Sequence, residues 1–497
     1  MNMAPLTRRD WLKSAGACGL ILAGITSWST CARADDETTV INIGSDRQLF
    51  VDRLLIDEMD GTTLRLHHPV RREKVFAFNK PWEGELSWYP VVIRDGGKYR
   101  MWYRAWGNAI AKGEIAWKSR YTCYAESPDG IHWQRPSLGI HEFDGSKENN
   151  LVFTDPQFAN VCILKDDNPA TPKEERYKAV ARSSAAKPGK IYGAVSEDGV
   201  HWKRLDKPLF VERPDGDFFD GAPIVYWDSH QQRYMCYVRG HRPPDANRKV
   251  LRSIKVSTSR DFRNWEPVEY IDIGEPWREQ FYTNGAQMYY RAPFYLLFPK
   301  RIVFGRKFDP QWKHDGLSDI IFLASRDGRH FTRLFHEAFI RPGLDRNNWH
   351  ERALMAGPSW IPTAQGEMST YIVENYRTKD VHVRRVALRE DGFVSVNAPL
   401  SGGELITKPF IFEGSELKIN FSTSAAGSVQ LELRDAAGKA IPGFTLKDCP
   451  QIFGDEIERI VQWKGNAHID KLSGTTVRLR FLMKDADLYS FRFTRNE

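Results

Sequence analysis

Ser127-Pro128-Asp129-Gly130-Ile131-His132-Trp133 returns as Ser196-Glu197-Asp198-Gly199-Val200-His201-Trp202. It comes again as Ser259-Arg260-Asp261-Phe262-Arg263-Asn264-Trp265 and as Ser325-Arg326-Asp327-Gly328-Arg329-His330-Phe331. A worn copy, Arg389-Glu390-Asp391-Gly392-Phe393, closes the series. The aspartates stand 69, 63, 66 and 64 residues apart. Self-similarity sustained at one period means stacked supersecondary units, because one unit alone cannot bury its faces.

Each unit reads as β. Short runs rich in Val, Ile, Tyr and Trp precede each Asp-Gly element, such as Tyr89–Ile93, Tyr99–Tyr103, Ile224–Trp227 and Tyr234–Val238. Turn residues separate them. Four strands fit into about 65 residues, the content of one propeller blade. Five copies predict a five-bladed β-propeller within residues 35–400, its ring closed by a strand at Gln48–Val51. The Ser-x-Asp-Gly elements read as turns in which Ser and Asp cap backbone N–H groups and Gly supplies positive φ. A residue repeated in every unit cannot be the unique catalyst of one axial site. Beyond Gly402-Gly403, alternating runs such as Leu417–Phe421, Val429–Leu433 and Val477–Leu482 predict a β-sandwich of the jelly-roll kind over residues 401–497. The fold class expected is therefore all-β.

The first 34 residues read as an export signal. Thr7-Arg8-Arg9-Asp10-Trp11-Leu12-Lys13 is a twin-arginine motif, Ala15–Ile25 is apolar, and Ala32-Arg33-Ala34 offers a cleavage site. The apolar run falls short of the roughly 20 residues of a membrane span. A periplasmic or secreted protein without a membrane span is the expectation. The net charge is +7, and four basic residues against one acidic residue lie in the signal, leaving a nearly balanced remainder. No Lys/Arg block points to nucleic acid. Cys123, Cys162, Cys236 and Cys449 are far apart and read as buried small hydrophobes, without zinc-ligand spacing. No cofactor motif is present; a structural calcium on the axis would leave no sequence signature.

In a propeller, chemistry gathers where the innermost strand of each blade begins. Trp82-Glu83-Gly84-Glu85 and Trp88, then Asp217-Phe218-Phe219-Asp220, Trp277-Arg278-Glu279 with Tyr282 and Asn284, and Trp349-His350-Glu351-Arg352 occupy such positions. Carboxylates from separate blades beside aromatic walls suit glycoside hydrolysis, which needs one protonated and one ionised acid. The expected acids are Asp220, Glu279, Glu83 and Glu85. The expected sugar contacts are Trp82, Trp88, Tyr282, Asn284, Arg239, Trp349, His350 and Glu351.

Leu49-Phe50-Val51-Asp52, Lys80-Pro81-Trp82-Glu83, Tyr99–Tyr103, Tyr234–Arg239, Ser325–Gly328, Asp391–Ser395, Val477–Phe481 and Ala486–Phe491 carry a further reading. With them the chain resembles secreted planctomycete-type proteins of the five-bladed propeller superfamily of invertases, levansucrases and arabinanases, glycosyl hydrolase families 32 and 43. The resemblance implies a carbohydrate-active enzyme with its site on the propeller and a supporting sandwich. It further implies an aspartate on the first blade, a second aspartate, and a glutamate as general acid. Asp220 and Glu279 fit the last two slots, and Glu83, Glu85 and Asp52 compete for the first. The Asn-Asp-Pro and Arg-Asp-Pro signatures of invertases are absent, which argues against a fructoside substrate. Two alternatives stand beside this reading. One is a sialidase-like exo-enzyme, needing a Tyr nucleophile and an arginine triad drawn from Arg239, Arg278 and Arg352. The other is a non-catalytic glycan-binding propeller.

Overall fold

The computed structural model describes residues 40–106, 120–155, 158, 160–183, 189–211, 219–242, 251–275, 279–465 and 468–495, without the side chains of Ser183 and Asp220. Residues 1–34, read above as an export signal, lie outside these residues. Among them the chain is all-β, with short 3-10 turns and no α-helix. Among the described residues no helix is long and apolar enough to cross a membrane.

Antiparallel sheets of three to five strands follow one another along the repeats. The first joins Trp88–Asp95, Lys98–Trp106, Arg120–Ser127 and Leu151–Phe153 in sequence order. The second is led by Val161–Lys165, Tyr177–Ser183 and Lys190–Ser196, the third by Asp220–Asp228, Arg233–Arg242 and Leu251–Ser259. The fourth repeat is split into two halves, Gln280–Phe281 with Lys300–Val303 and Leu317–Ile320, then Gln287–Met288 with Tyr295–Leu297 and Leu323–Ser325. Hydrogen bonds from Tyr282 N to Lys300 O (2.7 Å) and Phe298 N to Asn284 O (3.1 Å) bridge the break. The fifth sheet holds Met355–Ala356, Glu367–Glu374 and His382–Arg389.

The fifth sheet's outer strand is Val70–Ala77, from before the first repeat. This corrects the expectation that Gln48–Val51 would play that part: Gln48–Leu49 pairs with Phe491 and Ser490 instead. The physical reason is burial. Leu49, Phe50 and Val51 are all buried, whereas Val70–Ala77 carries Arg71, Arg72, Glu73 and Lys74 and is largely exposed, as an outer strand tolerates. Gln48–Leu49 belongs to a ten-stranded sheet that takes strands from both ends of the chain, within 41–66 and 394–494. Its two longest strands, Glu416–Asp435 and Thr476–Thr494, pair along most of their length. Their alternate residues, including Leu417, Ile419, Leu431, Leu479, Phe481 and Phe493, form one fully buried core. Period-two burial of this kind is what the alternating sequence dictates.

The repeated turns have the capping expected of them. Ser127 Oγ accepts from Gly130 N (2.9 Å), and Asp129 Oδ1 accepts from Ile131 N (2.9 Å) and His132 N (2.8 Å). The same bonds recur around Asp198 and Asp327. The glycine carbonyl then receives a donor from another sheet: Tyr371 Oη to Gly130 O (2.8 Å), Trp102 Nε1 to Gly199 O (2.8 Å) and Tyr237 Oη to Gly328 O (2.7 Å). Each turn thereby staples its sheet to a neighbour. Gly199 has φ +77°, and a Cβ there would lie 2.9 Å from Trp102 Cζ2. Gly199→Ala is expected to cost about 2–4 kcal/mol, combining left-handed strain and overpacking. Gly139→Ala is the control: φ is +68° but the space around it is open, so about 1 kcal/mol is expected. Equal urea midpoints for the two variants would remove the staple from the account.

Cys123, Cys162, Cys236 and Cys449 are all free and buried. Among the described residues no group of three or more His, Cys, Asp or Glu gathers as a metal cage.

Candidate active site

A cavity of about 780 Å³ is lined by a stretch from each of the five sheets: Val91–Arg94, Cys162–Lys165, Ile224–Trp227, Ala286–Tyr290 and Pro358–Pro362. It narrows where Tyr89–Val91, Val161–Cys162, Ala222–Ile224, Thr283–Gly285 and Met355–Pro358 meet. The residues preceding these stretches in sequence therefore gather at one mouth.

An aromatic stack occupies that mouth. Trp88 lies on Tyr376 (4.0 Å between ring centroids), on Tyr89 (5.0 Å) and beside Tyr282 (6.2 Å). Cations surround it. Lys300 Nζ sits 3.9 Å from the Trp88 centroid, and Arg104 lies 5.0 Å from the Tyr89 centroid. Arg239, Arg352 and Arg252 lie 4.4, 5.3 and 5.6 Å from the Tyr282 ring. Arg239 Nη1 donates to the Tyr282 carbonyl (3.0 Å). Glu351 is the carboxylate beside them: it accepts from Arg377 Nη1 (2.8 Å) and Trp312 Nε1 (3.0 Å) and faces His350 Nδ1 at 3.4 Å. Burial would raise the Glu351 carboxyl, but His350, Trp312 and Arg377 hold it down at about 2. Burial and then Arg352 push Lys300 well below its ordinary value.

Tyr282 is the other perturbed group. Burial alone would push its phenol up, but Arg239, Arg352 and Arg252 outweigh burial and bring it down to about 8. Its neighbour Tyr89 is pushed up to about 12, by burial first. A titration followed at 295 nm is expected to show one tyrosine ionising near pH 8, lost in Tyr282→Phe. Absence of any absorbance rise below pH 9 would contradict this.

The sequence-derived residues divide. Trp88, Tyr282, Arg239, His350 and Glu351 meet at the mouth. Glu85 lies beside them, half-buried, with its carbonyl accepting from Arg377 N (2.9 Å). Asp220 opens its strand in register with Arg239; its side chain lies outside the described residues, as do Trp277 and Arg278. The others are committed elsewhere. Glu83 is buried and accepts from Tyr103 Oη (2.5 Å), Lys80 N (3.0 Å) and both ends of Arg135 (2.9 and 3.0 Å). Trp82 Nε1 donates to Asn150 (2.9 Å), Asn284 Nδ2 to the Tyr237 carbonyl (3.1 Å) and Trp349 Nε1 to the Gly343 carbonyl (2.8 Å). Glu279 accepts from Arg301 (2.9 Å) and Arg333 (2.5 Å). Although burial opposes it, this pair of arginines lowers its carboxyl. Asp52 is tied to Arg326 (2.6 Å).

Sequence reasoning missed Arg104, Lys300, Tyr376 and Arg377. The signal was pairing register: Arg104 stands opposite Trp88 as Arg239 stands opposite Asp220. The second strand of a sheet thus reaches the same mouth as the first.

No family model matches this chain. Two uncharacterized proteins of Mycobacterium tuberculosis, strains CDC 1551 / Oshkosh and ATCC 25618 / H37Rv, are each 34% identical over 155 residues. The match takes in 30% of this chain and 45% of each relative, so the chain spans under half the length of the curated relatives it matches. Among solved structures, a chain titled glycoside hydrolase is similar at a TM-score of 0.43 and 13% identity, covering 67% of this chain and 92% of that one. A GH32 β-fructofuranosidase of Bombyx mori gives 0.42 and 12%, covering 86% and 95%. A family 43 arabinoxylan arabinofuranohydrolase from Bacillus subtilis gives 0.39 and 11%, covering 84% and 97%. At TM-scores below 0.5 none of these likenesses bears on what the chain does.

Proposed function

We propose that this protein is an exported glycoside hydrolase that works on a poly- or oligosaccharide at the aromatic mouth. In this reading the five sheets are the blades of a five-bladed propeller, residues 1–34 are a twin-arginine signal, and the ten-stranded sheet is a supporting β-sandwich. One observation carries the proposal: Trp88, Tyr282 and Tyr376, far apart in sequence, stack together with Lys300 and Glu351 beside them. Trp88, Tyr376 and Tyr282 are buried, so the stack backs the site and fixes the charged groups around it rather than meeting the sugar itself. Glu85, half-buried and without a salt bridge among the described residues, is assigned as the general acid toward the leaving oxygen. Asp220 is the ionised partner opposite Arg239. Glu351 stays ionised and orients Arg377.

Incubation with a panel of polysaccharides, followed by reducing-end release, tests this. Turnover of at least one glycan is expected; glycan binding without any turnover would favour the binding-scaffold reading. The low Tyr282 pKa and its three arginines favour a second reading, a sialidase-like exo-enzyme with Tyr282 as nucleophile. Trapping of a sugar on Tyr282 by a fluorinated substrate analogue, read by mass spectrometry, separates the two.

A further inference from the structure

The mouth holds more positive charge than its described carboxylate balances. Arg252 gives Nη1 to the neutral Gln280 amide oxygen (3.1 Å), while its buried Nε finds no acceptor among the described residues. Arg352 Nε lies 3.8 Å from Glu351 Oε1, beyond hydrogen-bond reach, and is also buried without an acceptor. Lys300 is fully buried, and its one hydrogen bond goes to the Arg352 carbonyl (3.2 Å). Trp88 Nε1 is a third buried donor without a partner. Arg291 and Arg71, by contrast, meet carboxylates: Arg291 meets Asp391 at 3.0 Å and Glu458 at 2.7 Å, and Arg71 meets Glu374 at 2.8 Å. A cation taken out of water costs several kcal/mol unless an anion answers it. The buried edges of Arg252 and Arg352 meet no such anion within hydrogen-bond reach among the described residues, and both side chains stay half-exposed, within reach of one from solvent.

Resting on the hydrolase reading, we infer that the sugar taken at this mouth carries an acid group, a carboxylate held by Arg252 and Arg352 beside Tyr282, with Lys300 behind them. A planar guanidinium fork suits a carboxylate, and it also accepts a sulfate ester.

Calorimetric binding on the full chain tests this with galacturonate, glucuronate and alginate oligosaccharides, sialyllactose and a sulfated galactan oligomer, each against its carboxyl-reduced or desulfated partner. At least one acidic member is expected to bind tenfold or more tightly than its neutral partner. That preference is expected to fall below threefold in Arg252→Met and in Lys300→Met, with the conservative Arg252→Lys retaining part of it. Near-UV circular dichroism checks that each variant is folded. Preference for the sulfated member alone would move the anion from carboxylate to sulfate and overturn the sugar-acid assignment. No acidic preference, or a preference unchanged in folded variants, overturns the inference altogether. Turnover of a neutral glycan with no acidic preference would sink this inference and leave the hydrolase standing. Acidic preference without turnover of any glycan would do the reverse.

Discussion

Glu85→Gln is expected to lower kcat on a hydrolysed glycan by about 10²–10⁴-fold, the usual worth of a positioned general acid, with KM nearly unchanged. Glu85 borders the mouth half-buried, its carbonyl held by Arg377 N, and it makes no salt bridge among the described residues. Glu279→Gln supplies the contrast. Arg301 and Arg333 grip Glu279, so its substitution is expected to move kcat by less than about threefold, as for a group making no transition-state contact. Steady-state kinetics of the two variants decide the matter. A large loss in Glu279→Gln with none in Glu85→Gln would return the acid to position 279.

The largest loss of stability is expected at Asp391. It is fully buried, faces Arg47 at 3.2 Å and Arg291 at 3.0 Å, and accepts from Tyr289 Oη (2.8 Å), Ser490 Oγ (2.7 Å) and Asn420 Nδ2 (3.0 Å). It therefore ties the end of the repeats to both chain ends of the ten-stranded sheet. Asp391→Ala leaves two enclosed arginines short of a counter-charge and is expected to cost about 3–5 kcal/mol in urea unfolding. A loss under about 1 kcal/mol would show that the network re-forms without it. Burial opposes ionisation, but Arg47 and Arg291 lower the Asp391 carboxyl in the folded state. Its contribution is thus complete above the unfolded value of about 3.9 and fades as pH falls through the lower folded value. The wild type is expected to lose stability with acid more steeply than the variant.

Asp391 also shows where reading along the chain stops working. As the worn copy of the repeat it looked like one more turn cap. In the fold it is Asp391, and not Gly392, that takes positive φ (62°), and its carboxylate turns inward. Glu83 is a parallel case: it stands before the first sheet as an active-site acid would, yet it closes on Arg135 and Tyr103. Nothing local distinguishes a carboxylate that faces a mouth from one that meets a cation 52 residues away.

The repeat period, the capped turns and the alternating runs were legible without coordinates, because hydrogen bonding within a turn and the two-residue period of a strand are local properties. Which strand completed the fifth sheet, and which charges met at the mouth, depended on contacts hundreds of residues apart. Val70–Ala77 won its place through pairing with His382–Arg389. Lys300, Arg252 and Arg352 became one cationic group only when separate strands were laid side by side. Sequence determines what each segment can form by itself; the balance of buried charge exists only once the segments are packed together.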